Sequence, residues 1–192
     1  MSTFKNLPIS NLDGYEISHR SLNIPLQLDS PAIEIMASFA NNTALILFDD
    51  MTIQEATGLL KNTHMSKALV RNDQEQFVGI VTLADLQSSR VLSIANQLNL
   101  HREDLTVSHL MTPKAACTAI QLQHVINSKI GDVLETMRAV GTLYLLVISE
   151  ANKEIIGMIS AIDIAKTLHM PVQITPKPQN FKEVMLAVAG SR

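Results

Sequence analysis

The sequence predicts a mixed α/β (α+β) protein made of two copies of one β-α-β-β-α unit related by pseudo-twofold symmetry, and three observations predict it. First, FVGIVTLADL at 77–86 and IIGMISAIDI at 155–164 align without gaps, pairing Gly79 with Gly157, Thr82 with Ser160 and Asp85 with Asp163, each pair 78 residues apart. Second, TIQEATGLLK at 52–61 answers KIGDVLETMR at 129–138 at an offset of 77, with Ile53, Ala56, Leu59 and Leu60 facing Ile130, Val133, Thr136 and Met137. Third, the segments between these windows, SKALVRNDQ and LYLLVISEA, match in order, and Val70 answers Val147. A match sustained through a whole unit decides the architecture before any single element does.

Taken in order, Ala44 to Phe48 reads as a short apolar strand and Thr52 to Lys61 carries helical spacing. Thr52 followed three residues later by Glu55 is a helix-start signature. Ala68 to Val70 and Phe77 to Val81 are expected to pair around the polar turn from Asn72 to Gln76. A helix is expected from Asp85 onward through Leu86, Val91, Ile94 and Leu98. The second copy repeats the pattern, with strands at Leu143 to Ile148 and Ile155 to Ile159 around Ser149 to Glu154. One unit has an apolar face it cannot cover alone, so the copies are expected to pack sheet to sheet.

The chain divides accordingly into an N-terminal extension (1–29), a first repeat (30–98), a linker with the second repeat (99–170) and a C-terminal tail (171–192). The linker ends at Pro113, which cannot continue a helix. In the tail, Phe181, Val184, Met185 and Val188 form one apolar helical face, suited to docking on the chain's own domain or a dimer partner.

Composition excludes several classes. A hydrophobic content of 46% over 192 residues supports a core without disulfide or metal, and the single Cys117 excludes an intramolecular bridge. Cys117 is read as a small buried hydrophobe. The start, MSTFKNLPIS, lacks a secretory h-region, and apolar runs such as Leu143 to Ile148 fall far short of the ~20 residues that span a bilayer. A cytoplasmic protein without a membrane partner is expected. Net charge is −3 with mixed signs and aromatics are 4%, which disfavours nucleic acid. The six histidines show no metal-ligand spacing, and neither a nucleophile elbow nor a glycine-rich phosphate loop is present, so no catalytic or metal-binding residues are assigned and no enzyme is expected.

The candidate binding residues lie at the strand-to-helix junctions. Thr82 and Ser160 sit where free backbone N–H groups and the positive end of a helix dipole favour an anion. Asp85 and Asp163, one turn later, offer carboxylates that can accept from two neighbouring ribose hydroxyls. The same Ser/Thr-x-x-Asp pattern is also close to a capping box, and the two roles are compatible. Taken by themselves, Lys67 reads as a solvated side chain and Tyr144 as a buried strand aromatic.

Met111-Thr112-Pro113 ahead of the second copy, Gly79-x-x-Thr82-x-x-Asp85 and Gly157-x-x-Ser160-x-x-Asp163 resemble the CBS repeat, over about residues 30–170. The chain is thus similar to a stand-alone tandem CBS pair, a Bateman module. The resemblance implies clefts between the sheets for adenosine-containing ligands such as AMP, ADP or ATP, disc-shaped homodimers, and a regulatory role exercised on an unidentified effector protein. It places phosphate or ribose contacts on Thr82 and Ser160, ribose hydroxyls on Asp85 and Asp163, and a phosphate-contacting basic residue on Lys67, a position held in the second copy by Tyr144, whose ring would edge an adenine. A proline common before the strand valine is replaced by Leu69 and Leu146. The alternative is a structural dimerisation or interaction module with degenerate clefts.

Overall fold

The computed structural model describes residues 25–40, 44–171 and 174. The apolar helical face expected at Phe181 to Val188 lies outside the described residues, as does most of the N-terminal extension.

Two four-stranded sheets of mixed direction form, each with three strands from one repeat. In the first, β2 (Ile46–Phe48) runs parallel to β3 (Lys67–Arg71) through the crossover helix α1 (Ile53–Asn62), and β3 pairs antiparallel with β4 (Phe77–Thr82). In the second, β6 (Thr118–Gln121), α6 (Ile130–Val140), β7 (Tyr144–Ser149) and β8 (Glu154–Ser160) repeat this arrangement. The equivalence extends to irregularities. Both hairpins shift register at matching places, between Val70 and Arg71 and between Val147 and Ile148. Glu75 (φ 60) and Lys153 (φ 56) both take left-handed backbone in the turns.

The fourth strand of each sheet comes from the other repeat's leader. β1 (Ala37–Ser38) pairs with β8, whereas β5 (Thr112–Pro113) pairs with β4. The residues around these strands follow them across. Ala32, Ile33 and Ile35 pack in the core of the second half, while Leu105, Val107 and Leu110 pack in the core of the first. Sequence repeats and spatial halves therefore differ by one exchanged segment. Residues just before residue 30 belong to this exchange: the Leu28 carbonyl accepts from the Gly131 amide at 2.9 Å and that of Ser30 from Ile130 at 3.0 Å.

Local signals explain most element boundaries. Thr52 and Glu55 close the expected capping box, with the Thr52 hydroxyl donating to Glu55 Oε2 at 2.7 Å and the Thr52 amide donating to the same oxygen at 3.1 Å. The helix expected from Asp85 to Leu98 is instead broken into α2 (Leu83–Gln87) and α3 (Arg90–Leu98). Leu86 and Val91 are both buried but five residues apart, which on a continuous helix would point them about 140° apart. The extended Ser88 (ψ 160) turns both to the core, and its hydroxyl takes the Asp85 carbonyl at 2.8 Å.

Between the sheets, Ile80, Leu146 and Met158 form a third apolar cluster, joined by Phe39, Leu69, Phe77, Cys117, Tyr144 and Ile155. Cys117 is half-buried, not the buried hydrophobe expected, and this partial burial pushes its thiol up to about 11.

The paired glycines are where the exchanged strands touch. A Cβ on Gly79 would collide with the Thr112 carbonyl oxygen, and one on Gly157 would lie 2.9 Å from that of Ala37. Gly58, inside α1, has nothing within 4 Å of such an atom. Gly79→Ala is therefore expected to destabilise the protein by about 1–3 kcal/mol, whereas Gly58→Ala stabilises it by about 0.5–1 kcal/mol. Urea unfolding of the two variants beside the wild type checks both signs.

Candidate functional site

The register of the hairpins assembles the site. Lys67 opens β3 opposite Thr82, the last residue of β4, and Tyr144 opens β7 opposite Ser160, the last residue of β8. Each polar pair is set there because its strand gives way to a helix, α2 after Thr82 and α7 (Ala161–Leu168) after Ser160. Thr82 and Ser160 are both buried.

The two junctions differ in how they use their acids. At the first, Asp85 is consumed by the cap: Oδ2 accepts from the Thr82 amide at 3.1 Å and from its hydroxyl at 2.6 Å, while the Asp85 amide donates back to Thr82 Oγ1 at 3.1 Å. At the second, the Asp163 amide donates to Ser160 Oγ at 3.3 Å, but the carboxylate does not return to the cap. It pairs with the Lys67 ammonium of the other repeat, 96 residues away. Among the described residues, the Ser160 hydroxyl accepts from the Asp163 amide and donates to no protein group.

An open groove of about 230 Å³ adjoins this second junction. Its floor and walls are Ala37 and Phe39 of the exchanged leader, Ala44 and Leu45 ahead of β2, the stretch from His64 to Leu69, Met158 and Asp163. The lining is mostly apolar, and its two groups charged at neutral pH are Lys67 and Asp163. A flat aromatic or heteroaromatic ligand with one polar end suits it.

Of the six residues picked from sequence, Lys67 and Asp163 thus meet in one groove, with Ser160 at the head of the helix that carries Asp163. Thr82 and Asp85 hold each other. Tyr144 lies between the two sets: its ring centroid is 5.9 Å from Lys67 Nζ, and it belongs to the cluster joining the sheets. Burial, with the charges of Asp85 and Asp163 behind it, pushes the Tyr144 phenol up to about 12.

Sequence reasoning missed Ala37, Phe39, Ala44, Leu45 and His64 as lining residues. The available signal was the repeat itself. Met36-Ala37-Ser38 occupies in the first copy the place of Met111-Thr112-Pro113 in the second, since Ser38 and Pro113 face the two equivalent glycines. His64 (φ 55) likewise takes the left-handed position that Gly141 (φ 77) fills after α6.

The CBS domain profile matches residues 32–91 and 107–170, so the chain belongs to the CBS-domain family and carries a tandem pair of these domains. Solved structures agree on the fold. An uncharacterized conserved protein from Pyrococcus horikoshii superposes with a TM-score of 0.53 at 19% identity, covering 78% of this chain and 100% of the other. A hemolysin-like protein containing a CBS domain from Oenococcus oeni PSU gives 0.51 at 21% identity, over 73% and 91%. The CBS domain of a bacterial CNNM/CorC family Mg2+ transporter, solved in complex with ATP, gives 0.50 at 17% identity, over 74% and 89%. No curated protein matches.

A phenol pushed upward is protonated in the folded protein at pH values where the unfolded chain has lost its proton. Stability is therefore unaffected by this group below about pH 10 and falls as the pH rises from there toward 12. In a Tyr15→Phe background, absorbance at 295 nm is expected to follow Tyr144 ionising near 12, and Asp85→Asn is expected to lower that midpoint.

Proposed function

We propose that the protein is a regulatory module that binds an adenosine-type nucleotide, AMP, ADP or ATP, in the groove beside Asp163. The observation that carries this reading is the unclosed cap of α7: a Ser160 hydroxyl that donates to no described protein group, and a carboxylate turned away from the cap toward Lys67 beside an apolar groove. The adenine would lie among Ala44, Leu45 and Met158, and the ribose hydroxyls would donate to Asp163. The phosphate would meet Lys67, the Ser160 hydroxyl and the positive end of α7. The ATP complex of the transporter's CBS domain is consistent with this ligand chemistry.

The role is binding without turnover, and the nucleotide leaves unchanged. The groove walls come from both repeats, so a ligand that fits one packing of the halves better than another shifts their equilibrium. The output passes through a homodimer or an effector protein in the cytoplasm. Among the described residues, no helix is long and apolar enough to cross a membrane.

Calorimetric titration of the purified chain with AMP, ADP and ATP tests the reading. Asp163→Ala is expected to weaken binding by roughly 1.5–3 kcal/mol, about 10- to 150-fold in Kd. Asp85→Ala is expected instead to cost about 1 kcal/mol of stability through the lost cap of α2. Absence of heat with all three nucleotides would overturn the proposal in favour of a structural interaction module with degenerate clefts.

A further inference from the structure

The groove holds one ammonium and one carboxylate, and each is the other's partner. The Lys67 side chain is 15% exposed and that of Asp163 is 44% exposed, so the carboxylate can turn to a ligand more readily than the ammonium can turn to water. A ligand that takes the Asp163 oxygens must leave Lys67 without its anion. An ammonium held away from water with no counter-ion is strongly disfavoured. The nearby Tyr144 ring is a neutral π-face 5.9 Å away and does not replace a carboxylate.

We infer that Lys67 is an internal counter-ion that occupies Asp163 in the empty groove and is released only to a ligand carrying its own anion, making the groove selective for phosphorylated nucleotides over bare nucleosides. This rests on the nucleotide reading above and adds its selectivity and the exchange that produces it. A phosphate takes over Lys67 while the ribose takes over Asp163, and neither charge is stranded. A nucleoside must either strand the ammonium or forgo the carboxylate. The equivalent position in the second repeat has Tyr144, and its acid is held by Thr82, so no such exchange is built there.

The test is a comparison of AMP with adenosine on the wild type and on Lys67→Met. The wild type is expected to favour AMP by at least about tenfold. In Lys67→Met the two affinities are expected to move in opposite directions. AMP weakens about tenfold and adenosine tightens about threefold or more, because the carboxylate is no longer occupied. Lys67→Gln, which keeps a polar donor and loses the charge, is expected to show the same opposed shifts and serves if the methionine variant folds poorly. Lys67→Arg restores the preference for AMP. If AMP weakens while adenosine is unchanged, Lys67 is a phosphate contact without the exchange, and the inference fails although the nucleotide reading stands. Equal shifts for both ligands overturn it as well. If the wild type binds AMP, ADP, ATP and adenosine not at all, the nucleotide reading fails and the inference falls with it.

Discussion

The close passage of each leader strand over a glycine of the opposite repeat is the constraint from which the rest of the architecture follows. β5 lies on β4 at Gly79 and β1 lies on β8 at Gly157, with the carbonyls of Thr112 and Ala37 filling the space a side chain would need. Backbone approaching backbone this closely admits only hydrogen at Cα. Because the strands cross, each sheet is completed by residues the other repeat supplies, and each core holds apolar side chains from the other's leader. Neither repeat can bury its own face alone, so the two fold as one unit with the Ile80, Leu146 and Met158 cluster between them.

The exchange also shapes the groove beside Asp163. Ala37 and Phe39 reach the groove only because β1 has joined the second sheet, whereas Lys67 and Leu69 belong to the first. The groove is thus walled by both halves, and among the described residues the one ion pair within it joins them directly. For a half-buried pair the attraction is largely offset by the cost of taking the charges out of water. Its weight lies in specificity, since it fixes which charges are available on each side of the joint.

The duplication was legible because its markers lie on the chain in order: two glycines, two hydroxyls and two acids at a spacing of 78, preceded by two helices at a spacing of 77. What the glycines are for was not legible, since the atoms they make room for lie on β5 and β1. The broken helix at Ser88 was missed for a related reason. Its apolar residues satisfy a helical pattern well enough, and only the position of the core shows that Leu86 and Val91 cannot both reach it without a turn in the chain. The contact of Lys67 with Asp163 joins residues 96 apart and follows from the register of two hairpins in different sheets, which periodicity within either copy does not encode.

The two junctions, identical in pattern, diverge because their helices differ in length. α2 has five residues before the chain turns at Ser88, and so short a helix cannot sustain itself by propagation. Its start is held by the reciprocal bonds of Thr82 and Asp85, which leaves that acid occupied. α7 runs unbroken for eight residues, buries Ala161 and Ile164, and closes at a left-handed His169 with the Met170 amide bonded to the Ala165 carbonyl at 3.1 Å. Secured at its far end and along its buried face, α7 needs only the single bond from the Asp163 amide to Ser160 at its start. The Asp163 carboxylate is thereby released from the cap, and the three-residue difference between α2 and α7 leaves it, rather than Asp85, turned to Lys67 in the groove.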